Sequence, residues 1–163
     1  MMPIEVEFDA AELERNLGRI SGALDKAMRN TLDHTTQSIV SHARQTTRFR
    51  DRTGMLRNSI RAGAFTGSLE SGNQLATDVI AGGGGVNYAR FVHDGTRPHV
   101  IEPRLKKALR IPTGGGHVFA MKVNHPGTAP RPFMDDAAEA VEPGIQAIGE
   151  AWTTNALREI GLL

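Results

Sequence analysis

The stretch that decides the fold is residues 10–44, AAELERNLGRISGALDKAMRNTLDHTTQSIVSHAR, where apolar residues recur every three or four positions. This period places them along one face of an α-helix. About 35 residues is long for a globular helix, so we expect it to kink near Asn30 or to project beyond its own domain. Asp9, with Glu12 three residues later, is typical of a helix start. The apolar stripe comprises Leu13, Leu17, Ile20, Leu24, Met28, Leu32, Thr35, Ile39 and Ala43.

A loop and a hairpin are predicted after this helix. Residues 45–55 are polar and basic with almost no apolar anchor, which indicates a basic loop. Residues 56–64 alternate apolar and polar side chains, as in a half-exposed strand. Residues 67–75 favour a turn, and residues 76–81 would return as a second strand. The hairpin would open a sheet region that extends over residues 56–123.

Two features interrupt this sheet region. A short helix is predicted over residues 87–93, and Gly95 supplies the permissive backbone that ends such a helix. Residues 96–108, with two prolines and several cations, indicate a protruding loop. Further strands are predicted at residues 109–111 and 118–123.

A second amphipathic helix is predicted over about residues 132–160. Pro132 suits a first helical position, and Asp135 and Asp136 place negative charge where it offsets the helix dipole. Pro143 should kink this helix or divide it at the preceding residue. The order of elements indicates an α+β fold, with the long N-terminal helix and the C-terminal helix packed on a mainly antiparallel sheet, and with extended loops.

Length and composition limit the classes of function. Residues 1–163, at 17.6 kDa, suffice for a single domain with a real core. The chain has no cysteine, which excludes disulfides, thiolate metal sites and cysteine nucleophiles. Glu5 and Glu7 stand where a signal peptide is basic, and no apolar run approaches about 18 residues. We therefore expect a soluble protein of the cytoplasm with no membrane partner.

The net charge of +1 hides a separation of sign along the chain. Residues 44–61 hold six arginines against Asp51, and residues 97–110 hold five basic residues against one acid. From residue 133 onward acidic side chains dominate, and Arg158 is the one arginine or lysine. Separated charges favour head-to-tail contact between copies, because complementary potentials steer association.

Two motifs share a glycine-threonine bend that leads into proline. Residues 87–98 read NYARFVHDGTRP, and residues 125–134 read HPGTAPRPFM. The helical spacing of Tyr88, Phe91 and Val92 places them on one face. The aromatic rings of Tyr88, Phe91, Phe133 and Trp152 could anchor an interface or pack in the core, and their helical spacing favours core packing for most of them. Neither motif contains a recognisable arrangement of catalytic residues. We expect the two motifs to bracket the basic loop between them, to hold its base to the core, and so to form a rigid footing for docking.

Together with residues 53–60, TGMLRNSI, these motifs resemble the head-to-tail joining, or neck and tail completion, proteins of long-tailed bacteriophages. The three motifs stand in the matching order from Thr53 to Met134. The motif residues are Tyr88, Phe91, Gly95, Thr96, Pro98, Pro126, Gly127, Pro130, Arg131, Pro132 and Phe133.

The resemblance implies a structural virion protein that assembles in the host cytoplasm and lies in the neck of the phage. It implies a homo-oligomeric ring, with sixfold symmetry favoured and twelvefold symmetry as the alternative. The implied partners are head-closure or adaptor proteins on one side and tail-tube or tail-terminator proteins on the other. DNA passing through the ring would make non-specific contact a further prediction.

Enzyme chemistry finds little support in the sequence. The four glycines at residues 82–85 lack the Gly-Lys-Ser/Thr ending of a phosphate loop. His93, Asp94 and His99 are close enough in sequence to meet in a loop, but no helical metal-ligand spacing and no nucleophile elbow is present. We expect no catalysis, no metal and no cofactor, and keep a histidine-based hydrolase as the third alternative.

The arginine-rich loop permits two interpretations. Arginine pairs with phosphate through two parallel hydrogen bonds, so residues 44–61 could form a nucleic-acid-binding module, which is the alternative function. Phe49 and Tyr88 are too few to form a base-stacking platform, which argues against sequence-specific recognition. Contact with acidic residues of a neighbouring subunit is favoured over contact with DNA. The residues predicted to contact a subunit or the DNA backbone are Arg48, Arg50, Arg52, Arg57, Arg97, His99, Arg104, Lys106 and Lys107.

Overall fold

A computed structural model describes residues 10–68 and 74–163, without the side chain of Leu13. The predicted helix start at Asp9 and most of the turn predicted at 67–75 lie outside the described residues. The helices are α1 (Ala10–Gln45), α2 (Met55–Ser59), α3 (Ala89–His93), α4 (Phe133–Val141) and α5 (Ile145–Glu159). The strands are β1 (Arg61–Ala62), β2 (Val79–Ile80), β3 (His99–Ile101), β4 (Leu109–Thr113), β5 (Gly116–Ala120) and β6 (Val123–His125).

The long helix α1 packs antiparallel to α4 and α5. Ala43, near its C-terminal end, shares a buried cluster with Ala137 of α4. Ala27, further toward its N-terminus, packs instead with Ala156 near the end of α5. A 3₁₀ turn at Glu142–Gly144 separates α4 from α5, as Pro143 predicts.

The buried face of α1 differs from the predicted apolar stripe. Leu17, Leu24 and Met28 of that stripe are exposed, whereas the smaller Ala23 and Ala27 are buried. The physical reason is that α5 packs along this side of α1, with Ala156 in one buried cluster with Ala23 and Ala27. Gly149 faces Thr31 there, and a β-carbon added at Gly149 would be in ordinary van der Waals contact with Thr31 Cγ2, at 3.6 Å. Small side chains fill this seam, and Leu17, Leu24 and Met28 remain outside it.

The main core lies where α1, α4 and the basic loop meet. Phe133, Leu56 and Ile60 are fully buried there. Phe49 of the loop meets Phe133 edge to face, with ring centroids 4.9 Å apart. The loop predicted to be almost without an apolar anchor therefore has a buried one, and burying such a ring contributes about 2 kcal/mol.

The segment predicted as the start of the first strand is the helix α2 instead. Leu56 and Ile60 are buried on one side of it. An apolar pair at positions i and i+4 fits both a strand that alternates and a helix that repeats. The carboxylate of Asp51 decides between them, because it accepts hydrogen bonds from the backbone N–H groups of Gly54 (3.0 Å) and Arg57 (2.9 Å).

The strands form three separate antiparallel ribbons of two strands each, β1–β2, β3–β6 and β4–β5. The α+β class and the antiparallel pairing are confirmed, and the predicted hairpin corresponds to the β1–β2 ribbon. Among the described residues, the antiparallel strands are divided among small separate sheets. Strands of two to five residues, separated by glycine-rich links, bury too little surface to extend one sheet.

The predicted protruding loop at residues 96–108 contains a strand. β3 lies within it and pairs with β6 in the register His99↔His125 and Ile101↔Val123. The remainder of that segment continues into the β4–β5 hairpin, which the sequence predicts.

Candidate assembly surface

The two sequence motifs lie side by side and hold each other through their threonines. Thr96 N–H donates to Thr128 O at 3.0 Å, and Thr128 N–H donates to Thr96 O at 3.1 Å. The two hydroxyl oxygens are 3.0 Å apart. We call residues 95–98 and 127–130 the motif clamp. The similar glycine-threonine bends of the two motifs therefore contact each other reciprocally.

Each bend of the motif clamp depends on its glycine. Gly95 has φ +73° and Gly127 has φ +87°, in the left-handed region that favours glycine. A β-carbon at Gly95 would lie 2.8 Å from Pro130 N, and one at Gly127 would lie 3.1 Å from Pro98 N. Both glycines thus serve a positive φ and a close backbone approach at once.

The motif clamp is fixed to the core through His93. The backbone N–H of Arg131 donates to His93 O at 2.8 Å. The His93 ring packs edge to face on Phe133, with centroids 5.4 Å apart. Phe133 follows Pro132, which takes the N-cap position of α4, while Pro126 is exposed. The expected role of the motifs as a footing rests on these contacts.

Asp94 closes the C-terminal end of α3 through contacts with His93 and Arg90. His93 Nδ1 is 2.8 Å from Asp94 Oδ1, and Arg90 Nε is 3.1 Å from Asp94 Oδ2. The hydrogen bond from His93, followed by the one from Arg90, lowers the pKa of Asp94 below its ordinary value. His99 does not join this group, because its ring stacks on His125 with centroids 5.0 Å apart.

A groove of about 890 Å³ runs between α3 and the motif clamp. Phe91 lies on its wall with 58% of its surface exposed, and Tyr88 is 37% exposed. Core packing was thus the correct prediction for Phe133 and the wrong one for Phe91. Arg97 and Arg131 also line the groove, and their side chains have no hydrogen bond or ion pair among the described residues.

An exposed projection extends from the β3–β6 ribbon, and we call residues 102–122 the arm. Leu105 is 98% exposed, Phe119 68% and Met121 70%. A two-stranded hairpin is at most marginally stable alone in water, so apolar side chains on it favour contact with another surface. These apolar residues were not among the predicted contact residues; their signal in the sequence is an apolar run on strands too short to bury it. The cations predicted there, Arg104, Lys106 and Lys107, are all exposed.

The arginine-rich loop is largely committed to its own chain. Arg44 donates to Ile60 O, and Arg61 donates to Gly82 O at 3.1 Å. Arg48 forms a two-pronged ion pair with Asp136, at 2.5 and 3.1 Å. These contacts tie the loop to α4 and to the β1–β2 ribbon. Of the cations predicted to contact an external partner, Arg48 is therefore already paired within its own chain.

Arg57 organises the loop from within. Its guanidinium donates to the carbonyls of Arg44 and Thr46, the latter at 2.7 Å, where α1 ends. It also lies over the Phe49 ring at 4.9 Å from the centroid. Arg57 thereby caps α1 and is not free for an outside partner. Arg50 and Arg52 are exposed and make no hydrogen bond or ion pair with any residue that the structure describes.

Exposed carboxylates lie at the junction of α4 and α5. Glu139 and Glu142 are exposed and unpaired within residues 10–68 and 74–163. Asp136 is already held by Arg48, and Glu159 by Lys26 at 2.6 Å. The surface therefore separates free cations on the arm from free carboxylates on the helices.

None of the helices in residues 10–68 and 74–163 is long and apolar enough to cross a membrane. No three histidine or acidic side chains there come together as a metal site would require.

The chain matches one protein family over residues 11–95, a little more than half of its length. That family is described as "Bacteriophage HK97-gp10, putative tail-component". The matched part includes α1 from residue 11, the arginine-rich loop and the first motif as far as Gly95. No significant match was found among curated proteins or solved structures.

Proposed function

Because the chain belongs to the HK97-gp10-like family of phage tail components, we propose that it builds a ring in the neck of the virion. The ring would join the DNA-filled head to the tail. Its neighbours would be a head-closure or adaptor protein and a tail-tube or tail-terminator protein. Assembly would take place in the host cytoplasm, with sixfold symmetry favoured over twelvefold, and the role is architectural, with no catalytic step.

The observation that carries this proposal is the arm. It exposes apolar side chains such as Phe119 together with the cations Lys106 and Lys107. The same chain exposes the carboxylates Glu139 and Glu142 on different elements, at the junction of α4 and α5. When two complementary patches lie at different places on one subunit, the contact is heterologous, and a heterologous contact that closes generates a ring.

A charge exchange tests this contact. The variant Lys106→Glu/Lys107→Glu and the variant Glu139→Lys/Glu142→Lys should each lose assembly, because like charges then face each other. The variant that combines all four changes should recover it. The measurement is the mass of the assembly by light scattering. Failure of the combined variant, with all three proteins folded, would contradict the arm-to-helix contact.

Location in the virion is tested separately. Electron microscopy of virions that carry a labelled copy of the chain should place the label at the head-to-tail junction. A label on the capsid shell or at the tail tip would reject the proposed role in the neck.

A further inference from the structure

The groove has an unfilled apolar wall and a positive rim. Phe91 is more than half exposed on the wall. Arg97 and Arg131 are available at the rim, whereas the neighbouring carboxylate, Asp94, is already paired with Arg90. Such a surface fits a segment that is apolar on one side and acidic on the other.

The same chain contains such a segment at residues 4–9, IEVEFD. Apolar Ile4, Val6 and Phe8 alternate there with three acidic residues. In any extended segment, successive side chains point to opposite sides. Three apolar side chains would therefore share one face, and three carboxylates the other.

We propose that residues 4–9 of one copy bind in the groove of the next copy. The apolar side chains would lie against Phe91, and the carboxylates would point toward Arg97 and Arg131. This inference rests on the proposed function, because it supplies a second contact between neighbours in the same ring.

The groove of the same copy is out of reach. With a rise of about 1.5 Å per residue, α1 separates Ala10 from Ala43 by about 50 Å. Val92, which lines the groove, packs against the core cluster that contains Ala43. At about 3.5 Å per residue, residues 4–9 extend no more than about 20 Å from Ala10. The occupant must therefore come from a second copy.

The two ends of the molecule suit a head-to-tail arrangement. The groove and the arm adjoin, because β3 leads from the motif clamp into the arm. α1 begins at Ala10, at the end of the helix away from the groove. There Arg19 donates to Ile160 O at 2.8 Å, which fixes α1 to the end of α5.

Peptide binding tests the groove whether or not the chain assembles. A fluorescent synthetic peptide with the sequence of residues 4–9 should bind the full-length protein saturably. The variant Arg97→Glu/Arg131→Glu should weaken binding about tenfold, because two opposite-charge contacts become like-charge contacts. A peptide carrying lysine in place of both glutamates should bind this variant better than the wild-type peptide does. Equal binding of a peptide with the same composition but grouped acids would overturn the proposal.

Cross-linking tests the origin of the segment. Full-length protein with a photoreactive phenylalanine analogue at position 8 is mixed with isotope-labelled copies and irradiated. We expect cross-links between copies that end at Tyr88 or Phe91. Cross-links confined to one copy, or ending elsewhere, would overturn the proposal. If the charge exchange fails but the peptide binds, the proposed ring contact is wrong while the groove assignment survives.

Discussion

At the scale of single residues, a comparison of Gly95 with Gly84 distinguishes the cost of backbone strain from the cost of steric conflict. It has φ +73° and lies against the backbone of Pro130, whereas Gly84 has φ +59° and open space around it. Gly84→Ala should cost about 1 kcal/mol, which is the price of a left-handed residue. Gly95→Ala should cost about 2 kcal/mol more, because the opposing bend must move. Urea unfolding of both variants measures the difference.

The same position links the motif clamp to assembly. Gly95→Val should displace the opposing bend, and with it the base of the arm, so that assembly is lost even where the monomer remains folded. Light scattering at a temperature below the unfolding transition distinguishes the two effects. A folded Gly95→Val protein that assembles normally would contradict the role of the motif clamp as a footing.

Asp51 makes part of the stability depend on pH. Hydrogen bonds, above all from the backbone N–H of Arg57, hold the pKa of Asp51 below its ordinary value. A lowered pKa in the folded state means that the stabilisation is present above the unfolded pKa of about 3.9 and is lost as the pH falls through the folded value. Asp51→Ala should cost about 1 kcal/mol at neutral pH, as loss of a helix cap does.

The control for Asp51 is the pH itself. The difference between wild type and Asp51→Ala, measured by urea unfolding, should shrink as the pH is lowered from 7 toward 3. A difference that stays constant over this range would show that the charge of Asp51 contributes nothing to α2.

At the scale of elements, the arm should contribute to association and little to folding. Phe119→Ser/Met121→Ser removes two side chains that are more than two thirds exposed. We expect the free energy of unfolding to change by less than about 0.5 kcal/mol, as for most surface substitutions. Assembly should be strongly weakened. Leu17→Ser, at an exposed position on α1, is the matched control and should leave assembly intact.

The elements also show how much the sequence determines. The long helix, the division at Pro143 and the β4–β5 hairpin follow from period and proline chemistry, which act locally. The period cannot say which face of α1 is buried, because that depends on where α5 packs, with Ala156 against Ala23 and Ala27. Alternation cannot separate α2 from a strand without the hydrogen bonds of Asp51.

The assembly surface was predictable to a similar extent. The motifs could be found because bends need glycine and proline at fixed positions. The burial of Phe49 and the exposure of Phe91 could not, because each depends on a neighbour that is distant in sequence. The internal hydrogen bonds of Arg57 were likewise invisible, since a cation in a sequence does not reveal which carbonyls it will meet.

At the scale of the whole molecule, the commitment of the loop arginines limits any contact with DNA. Each phosphate that a protein neutralises contributes about −0.9 to the slope of log K against log salt. Arg50 and Arg52 are the uncommitted arginines of residues 44–61 within the described structure, so we expect a slope near −2 for this loop. Arg50→Ala/Arg52→Ala should bring it close to zero, whereas Arg15→Ala, at the far end of α1, should not change it. A wild-type slope near −5 would mean that all six arginines leave their internal partners for phosphate, and would favour the nucleic-acid-binding interpretation over contact between subunits.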